Sequence, residues 1–477
     1  MWFLLTLAFF AVSAISTLAT GAPLDPAVLV AAAAPDAVPA LGALAVDASL
    51  ESLRLLSRLR MERTLRVSRH AAHHPPPHPS GARPPPQPRA PMRRFAEHVA
   101  WDDLKARFTP AEFRVAHGLS LDAFDAVLTR IRPIITDKER GHGGQRNGHR
   151  VPAEIKLHLT LRWLRGGQYH DFLAPYGISK TNFYGIVWRV CRAICATHSL
   201  PMAAAVAAAR QGDDSCFRRW AAGFATFTLG TIATCFGAID GVQISILKPS
   251  AREVSNPACY FNRYSKATVN MQAVADATGR VLYIAASAPG GMHDNQALNT
   301  SRLADILTSL LVPLGYLLVG DEAYVNGPGM LCPFSGPEHG SKEDHYNYYQ
   351  SLTRNPVERA FGMIERRWGI LWRRLECRLA HVPLVLLTIC LLHNICMDHA
   401  VPIADLPEVT DAQRLPRTGD GQTYQGRRFD TEQTELREAI ATELARRGMQ
   451  RPAVGAPRRA AHGGRGRGGR GRGRGAA

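Results

Sequence analysis

The sequence has no closely spaced pair of cysteines of the kind that binds zinc. Its nine cysteines are scattered between Cys191 and Cys396, with no C-x-x-C pair. This scatter and the odd number argue against a zinc-binding or disulfide-framework protein and indicate reduced, mostly buried thiols. Cys191 and Cys195 stand one helical turn apart, but no second pair lies near them in sequence to complete a tetrahedral site. A structural role is therefore predicted for both.

Acidic residues are too few to balance the basic ones. Lys and Arg number 57 against 40 Asp and Glu, which gives a formal net charge of +17. Such a charge favours a polyanionic partner, nucleic acid first of all. The alternative is that two Arg-rich flanks supply most of the excess around an ordinary core. With 477 residues, 46% of them hydrophobic, the chain is long enough for two or three domains and is not wholly disordered.

The two ends of the chain lack the composition of a folded domain. Residues 1–24 carry no charge and resemble a secretory signal or a marginal membrane span, but they have no positive n-region and could be a mis-assigned start. Residues 25–100 are rich in Ala, Pro and Arg and predict a disordered linker. Residues 401–477 form a polar tail whose Arg/Gly end predicts disorder and resembles segments that bind RNA or DNA. A low-complexity end without a selected role is the alternative.

Residues 101–200 have a helical pattern. Ser120 and Ser179 are predicted to cap two of the helices, and glycine turns separate the elements between about 152 and 193. This rhythm is typical of a helix-turn-helix, whose last helix can enter the major groove of DNA, and equally of any small helical bundle. The exposed residues of that last helix that are candidates for DNA contact are Lys180, Asn182 and Arg189.

Residues 230–400 change to an α/β pattern. Strands are predicted at 234–240, 268–276, 281–289 and 316–321, with helices at about 295–310, 355–375 and 383–397. Three strands, a helix, a further strand and further helices form the order of an RNase H-like α/β fold, in which helices flank a mixed sheet. We therefore expect this domain to follow the helix-turn-helix-like region.

Three acidic residues stand where such a fold can present them together. Asp240 and Asp321 each end an apolar strand, and Glu358 is predicted on the first turn of a helix. For either aspartate alone, the cap of a turn is the simpler interpretation. Glu365 is the rival of Glu358 on the same helix face, although a solvent-exposed ion pair with Arg366 or Arg367 is favoured for it. Converging carboxylates repel one another unless a cation shares the site, and Mg²⁺ or Mn²⁺ prefers such oxygen ligands.

Six phrases in this region resemble the DDE endonucleases of PIF/Harbinger transposons and their domesticated relatives. Each phrase alone is a weak signal, but all six occur in the family's order. They are AIDGVQI (238–244), YFNRYSKATVNMQAVADATGRVL (260–282), PGGMHDNQAL (289–298), GDEAY (320–324), NPVERAFGMIERRWGIL (355–371) and LLHNIC (391–396).

The resemblance implies that Asp240, Asp321 and Glu358 are a catalytic triad that binds Mg²⁺ or Mn²⁺ and cuts DNA. His293 and Asp294 match a pair beside the family's site, with a turn as the alternative, and no chemistry is assigned to them. Arg263 and Lys266 are candidates for phosphate contact, or else form a solvated hairpin tip. The family further implies a nuclear location, a Myb-like partner protein and a homo-oligomer. A DNA-binding protein that keeps the fold without cutting is the competing hypothesis.

Overall fold

The structure is a computed structural model that describes residues 100–136, 151–327, 329–416 and 431–452, which belong to one compact unit. The apolar start, the Pro-rich linker and the Arg/Gly tail lie outside the described residues. The first part of the described chain is helical, with bounds as follows: α1 Trp101–Lys105, α2 Pro110–His117, α3 Leu121–Ile135, α4 Ala153–Leu164, α5 His170–Tyr176, α6 Lys180–Thr197, α7 Pro201–Ala209 and α8 Ser215–Ala225.

The predicted serine caps explain where two of these helices begin. The Ser120 hydroxyl accepts a hydrogen bond from the Ala123 amide at 3.3 Å, and the Ser179 hydroxyl accepts one from the Asn182 amide at the same distance. A serine in this position satisfies one of the free N–H groups of the first turn. The apolar faces of α3 and α6 then pack together, so that residues such as Phe124 and Phe183 are fully buried.

The second part of the chain contains one five-stranded sheet. Its elements are β1 Cys235–Ser245, β2 Thr268–Ala275, β3 Val281–Pro289, α9 Asp294–Asn299, α10 Arg302–Ile306, β4 Leu317–Val319, β5 Met330–Leu331, α11 Lys342–Arg367, α12 Val382–Asp398 and α13 Thr431–Arg446. The strand order is β3-β2-β1-β4-β5. The first three strands are antiparallel neighbours, whereas β4 is parallel to β1 and to β5. The predicted mixed sheet with flanking helices is therefore confirmed.

Apolar clusters cover both faces of the sheet. One cluster contains Phe217 and Trp220 of α8 with Phe236 of β1. The other contains the inner faces of α11 and α12 and extends into the helices at 101–197. Two stretches, Lys180–Ala209 and Leu379–Asp398, are long and apolar enough to cross a membrane by length and composition. Core helices of soluble proteins pass the same test, and most of α12 is buried in this core.

Several predicted element boundaries are wrong: α11 ends at Arg367 rather than at Leu375, the helix predicted at about 295–310 is divided into α9 and α10, and two further errors concern the candidate site. β1 does not end at Asp240 but continues to Ser245, because residues 241–245 pair with β2 from Gln272 to Thr268. The helix predicted to start at Asn355 begins at Lys342, where the Ser341 hydroxyl accepts a hydrogen bond from the Asp344 amide at 3.2 Å. Glu358 therefore lies in the middle of α11 rather than on its first turn. Pro356, typical of a helix start, is accommodated inside this helix.

Candidate active site

The sheet brings Asp240 and Asp321 to the same level. Ala238 of β1 lies opposite Val319 of β4 in a parallel pair, and each aspartate follows two residues further along its own chain. Parallel neighbours advance together, so the two positions are adjacent at the end of β4. Gly320 fits this crowded point because a Cβ there would lie 2.7 Å from the Tyr324 ring. The predicted strand at 316–321 is present, but it ends at Val319, so Asp321 lies two residues beyond it rather than at its last position.

Asp240 is a buried carboxylate inside the sheet, 1% exposed. Its Oδ1 accepts a hydrogen bond from the Gly241 amide at 2.9 Å. Its Oδ2 lies 3.8 Å from a guanidinium nitrogen of Arg354 on α11. Asp240 shares a strand face with Ala238 and Val242, and the cluster that contains these two also contains the inner face of α11. The mid-strand position therefore aims the carboxylate toward this helix.

Glu358 is connected to Asp240 by Arg354, which forms an ion pair with each of them. One Glu358 carboxylate oxygen lies 2.5 Å from Arg354 Nη2, one helical turn away, and the Glu358 side chain is 40% exposed. Arg354 thus stands between a carboxylate of the sheet and a carboxylate of the helix. Among the residues that the structure describes, no three His, Cys, Asp or Glu side chains converge closely enough to hold a metal ion. The three predicted residues share one neighbourhood, with a guanidinium between two of them.

Asp294 is a fourth carboxylate at the site; the sequence analysis matched it to a pair beside the family's site, with a turn as the alternative, and assigned it no chemistry. It is fully buried as the first residue of α9. Its Oδ1 accepts hydrogen bonds from the side-chain amides of Asn270 at 2.8 Å and Gln272 at 2.7 Å. The Tyr324 hydroxyl in turn donates to Gln272 Oε1. The signal in the sequence is the pair of amide residues at alternate positions of an otherwise apolar strand.

The carboxylates act on each other's protonation. The pKa of Asp321 is raised to about 6, first by burial and then by the negative charge of Asp294, while Arg354 opposes both effects. The pKa of Tyr324 is raised well above its usual value of 10, first by complete burial and then by Asp294, Asp240 and Asp321. Tyr324 therefore remains a neutral hydrogen-bond donor throughout the physiological pH range. Negative charge is concentrated around this tyrosine.

A cleft of about 980 Å³ opens beside Glu358. Lys266, Glu365 and Arg366 line it together with the segment that follows α12. Glu365 is 4% exposed, so the predicted solvent-exposed ion pair is wrong for this residue. Instead, Arg366 donates to the Leu406 carbonyl at 2.8 Å, and Arg367 donates to the Gly118 carbonyl at 2.7 Å. Glu365 and Glu358, two helical turns apart, face the same cleft.

The predicted DNA-contact residues are exposed. Asn182 and Arg189 are seven residues apart on α6 and share a helix face, whereas Lys180 is about half a turn away from Asn182. The Lys180 ammonium lies 4.5 Å from the centre of the Tyr169 ring. Arg263 stacks on Tyr264 at 4.8 Å in the turn between β1 and β2. Lys266 follows in the same turn and, unlike Arg263, lines the cleft.

Comparisons with known proteins agree with this arrangement. Residues 239–394 match the family described as DDE superfamily endonuclease. The chain is 28% identical over 181 residues to the Xenopus laevis protein named "Putative nuclease HARBI1", covering 37% of this chain and 50% of that protein. It is 25% identical over 183 residues to the human protein of the same name, covering 38% and 51%. It is 23% identical over 322 residues to the Arabidopsis thaliana "Protein ALP1-like", covering 62% and 75%.

The chain thus spans about half the length of the frog and human relatives and three quarters of the plant one. No solved structure matches it significantly. The family match begins one residue before Asp240 and ends at Asn394, so it includes all four carboxylates of the site. Residues 239–394 of this chain therefore match a DDE superfamily endonuclease domain, and the relatives found include proteins named as putative nucleases.

Proposed function

We propose that this protein is a metal-dependent DNA endonuclease of the transposase-derived type, with an RNase H-like domain and the triad Asp240, Asp321 and Glu358. The observation that carries the proposal is the register of β1 and β4, which brings Asp240 and Asp321 side by side while Arg354 links Asp240 to Glu358. Asp240 on β1, Asp321 just beyond β4 and Glu358 on α11 could converge on a phosphodiester near the end of β4.

The donor chemistry of these residues suits a divalent cation, although the described side chains do not converge closely enough to hold one without rearrangement. Asp321 is buried beside the negative charge of Asp294, and both raise its pKa, so a cation would stabilise its charged form. Carboxylate oxygens are the ligands that Mg²⁺ and Mn²⁺ prefer, and Asp240, Asp321 and Glu358 would supply them. When bound, such an ion activates a water molecule or a 3′-hydroxyl and stabilises the leaving oxygen of the phosphodiester. The ion would also reduce the repulsion among the carboxylates.

The remaining buried groups hold this site in place. The Oδ1 atom of Asp294 is occupied by two amide donors, from Asn270 and Gln272, and this restricts it to an electrostatic and positioning role. Tyr324 donates to Gln272 and orients that amide. This network anchors the start of α9 and the loop after β4 to strand β2. Asp321 is therefore presented from a rigid support.

Basic residues around the cleft are suited to DNA phosphates. Lys266, Arg366 and Arg414 line the same cleft as Glu358. We propose that Lys266 contacts the backbone near the cut, with Arg263 beside it at the exposed turn. For sequence recognition we propose the exposed face of α6, with Asn182 and Arg189 as the paired contacts and Lys180 at its start. Contacts from two regions would position one duplex across the site.

A second candidate function is a DNA-binding protein that does not cut. The observation in its favour is the Arg354–Glu358 ion pair, which neutralises a residue that the nuclease needs as a metal ligand. The site carboxylates are nevertheless all present. The nuclease therefore remains the better-supported function.

The test is nicking of supercoiled plasmid by the full chain, with and without Mg²⁺ or Mn²⁺. The full chain is needed because the Pro416 carbonyl accepts a hydrogen bond from the Gln243 amide of β1 at 2.9 Å, so residues beyond 400 support the site. Asp240→Asn, Asp321→Asn and Glu358→Gln should each slow cutting by about 100-fold or more, while Glu376→Gln, at an exposed ion pair, should not. Metal-independent cutting would contradict the proposed metal-dependent mechanism, and no cutting with DNA binding retained would favour the second function.

The location and partners of the protein follow from this function as further proposals. A DNA endonuclease acts in the nucleus, and a C-terminal fluorescent tag would test that location. Cleavage of residues 1–24 from the tagged protein, or its secretion, would contradict it. A Myb-like partner, RNA bound by the Arg/Gly tail and a homo-oligomer each remain to be tested, by affinity capture and by measurement of the molecular mass in solution.

A further inference from the structure

Three side chains on one face of α11 dock this helix against the site. Gln350, Arg354 and Glu358 are spaced by four residues, so they form a single stripe along the helix. The Gln350 side-chain amide donates to the Gly320 carbonyl, directly before Asp321, at 2.6 Å. Gln350 is 2% exposed, so this bond fixes the stripe next to the end of β4. The next residue of the stripe, Arg354, therefore faces the aspartates.

The Arg354 guanidinium contacts two carboxylates that come from different elements. It lies 2.5 Å from Glu358 on its own helix and 3.8 Å from Asp240 on β1. The exposed fractions of the three side chains are 21% for Arg354, 40% for Glu358 and 1% for Asp240. A planar guanidinium carries five N–H donors and can bind two carboxylates at once. A positive charge thus occupies the space between two of the three proposed metal ligands.

We propose that Arg354 is a positioning residue of this site, which binds Asp240 and Glu358 in the metal-free protein and is displaced from Glu358 when a divalent cation binds. The inference rests on the proposed function of the three carboxylates. A carboxylate that gives its oxygens to a guanidinium cannot give them fully to a metal ion, and two cations a few ångströms apart repel each other. Arg354 therefore keeps the carboxylates together without metal and lowers the affinity for metal.

The direction of the effect separates this role from a purely structural one. If Arg354 only held the helix in place, its removal would disturb the ligands and weaken metal binding. If it competes with the metal, its removal should strengthen metal binding and weaken the metal-free fold. Lysine at this position keeps the charge but lacks the planar fork that spans two carboxylates. Its effect should therefore lie between those of arginine and glutamine.

The experiment is titration of the full-length chain with Mn²⁺ by isothermal calorimetry, in the absence of DNA. Arg354→Gln should bind Mn²⁺ about tenfold more tightly than the unmodified chain, and Arg354→Lys should bind with intermediate affinity. Arg359→Gln is the matched control, because Arg359 lies on the same helix and donates to the Ala277 carbonyl instead. It should leave the affinity unchanged. Thermal unfolding without metal should show Arg354→Gln melting below the Arg359→Gln control.

Two further variants separate the failure of this inference from failure of the proposed function. If Mn²⁺ binding is lost in Asp240→Asn and in Glu358→Gln but Arg354→Gln binds no more tightly than the unmodified chain, only the role of Arg354 is refuted. If Mn²⁺ binding does not depend on Asp240 and Glu358, both proposals are refuted. Should Arg354→Gln fail to fold, unchanged or weaker Mn²⁺ binding by Arg354→Lys refutes the competition by itself. If the Arg354 variants bind Mn²⁺ and the unmodified chain does not, the proposed competition between Arg354 and the metal ion is supported most strongly.

Discussion

Two histidines in the helical region form a buried hydrogen-bonded chain with a tyrosine. His117 Nδ1 lies 2.9 Å from the Phe113 carbonyl, His117 Nε2 lies 2.7 Å from His158 Nδ1, and His158 Nε2 lies 2.8 Å from the Tyr176 hydroxyl. A carbonyl only accepts, so His117 Nδ1 carries the proton and His117 Nε2 accepts from His158 Nδ1. His158 Nε2 then accepts from Tyr176. A proton added to His117 Nε2 would face the N–H of His158, and a proton added to His158 Nε2 would face the hydroxyl proton of Tyr176.

Acid should therefore destabilise the protein through these two rings. Burial lowers the pKa of His117 to about 4 and that of His158 to about 2, and the His117 ring adds to the effect on His158. In the unfolded chain both would titrate near 6.5. Between that pH and the folded pKa, the unfolded state binds more protons, so the free energy of unfolding falls as the pH falls. From pH 7 to pH 5 the loss is about 2 kcal/mol for each histidine.

The assay is urea unfolding of the full chain at pH 7 and at pH 5, followed by tryptophan fluorescence. His158→Gln should be less stable than the unmodified chain at pH 7, because its partners lose their hydrogen bonds. Its further loss on going to pH 5 should nevertheless be smaller by about 2 kcal/mol, since one titrating group has been removed. His399→Gln, at an exposed position, should keep the original pH dependence. An equal loss in His158→Gln and His399→Gln would refute the reasoning.

Three further predictions concern stability measured by urea unfolding at pH 7 without metal. Asp321→Asn should stabilise the protein by up to about 3 kcal/mol, because it removes the charge whose pKa is raised to about 6, while the exposed control Asp305→Asn should have little effect; a loss of stability would contradict this. Gly290→Ala should destabilise, since a Cβ there would lie 1.9 Å from the Thr268 hydroxyl, whereas Gly185→Ala, with open space inside a helix, should stabilise by about 0.5–1 kcal/mol. Asn394→Ala should cost about 2 kcal/mol, because Asn394 exchanges hydrogen bonds of 3.0 and 2.8 Å with the Val281 backbone. Asn394→Asp should cost at least as much, because a buried carboxylate oxygen would then face the Val281 carbonyl, and a milder effect than that of Asn394→Ala would contradict this.

Local patterns in the sequence were sufficient for much of the fold. Alternating and continuous apolar runs predicted the positions of strands β1 to β4 along the chain, because each strand has a recognisable composition of its own. Ser120 and Ser179 marked the starts of α3 and α6 correctly, since a cap acts only on its own first turn. Asp321 was correctly placed near the end of β4, although the strand stops two residues before it. These features depend on neighbours within a few residues of one another.

Features that depend on distant partners were predicted incorrectly or missed. β1 extends past Asp240 because β2 pairs with that segment, although the alternation of Val242, Gln243 and Ile244 is compatible with a strand there. The helix start predicted at Asn355 missed the cap at Ser341, fourteen residues earlier. No role was assigned to Asp294, because its amide partners stand on a strand more than twenty residues away. The spacing of four residues between Gln350, Arg354 and Glu358 was visible in the sequence. That this stripe faces the site could be inferred only from the hydrogen bond between Gln350 and the Gly320 carbonyl.

The long helix α11 connects these observations, because one stripe of it meets the sheet at two points. Gln350 sets the height of the helix relative to the end of β4, and Arg354 and Glu358 then follow at one and two turns from that point. A shift of one residue would rotate the stripe by about 100° and remove both charged groups from the site. The position of Glu358 is thus determined by a hydrogen bond two turns away from it. For that reason the site depends on the register of α11 against the sheet. This register places the positive charge of Arg354 between Asp240 and Glu358.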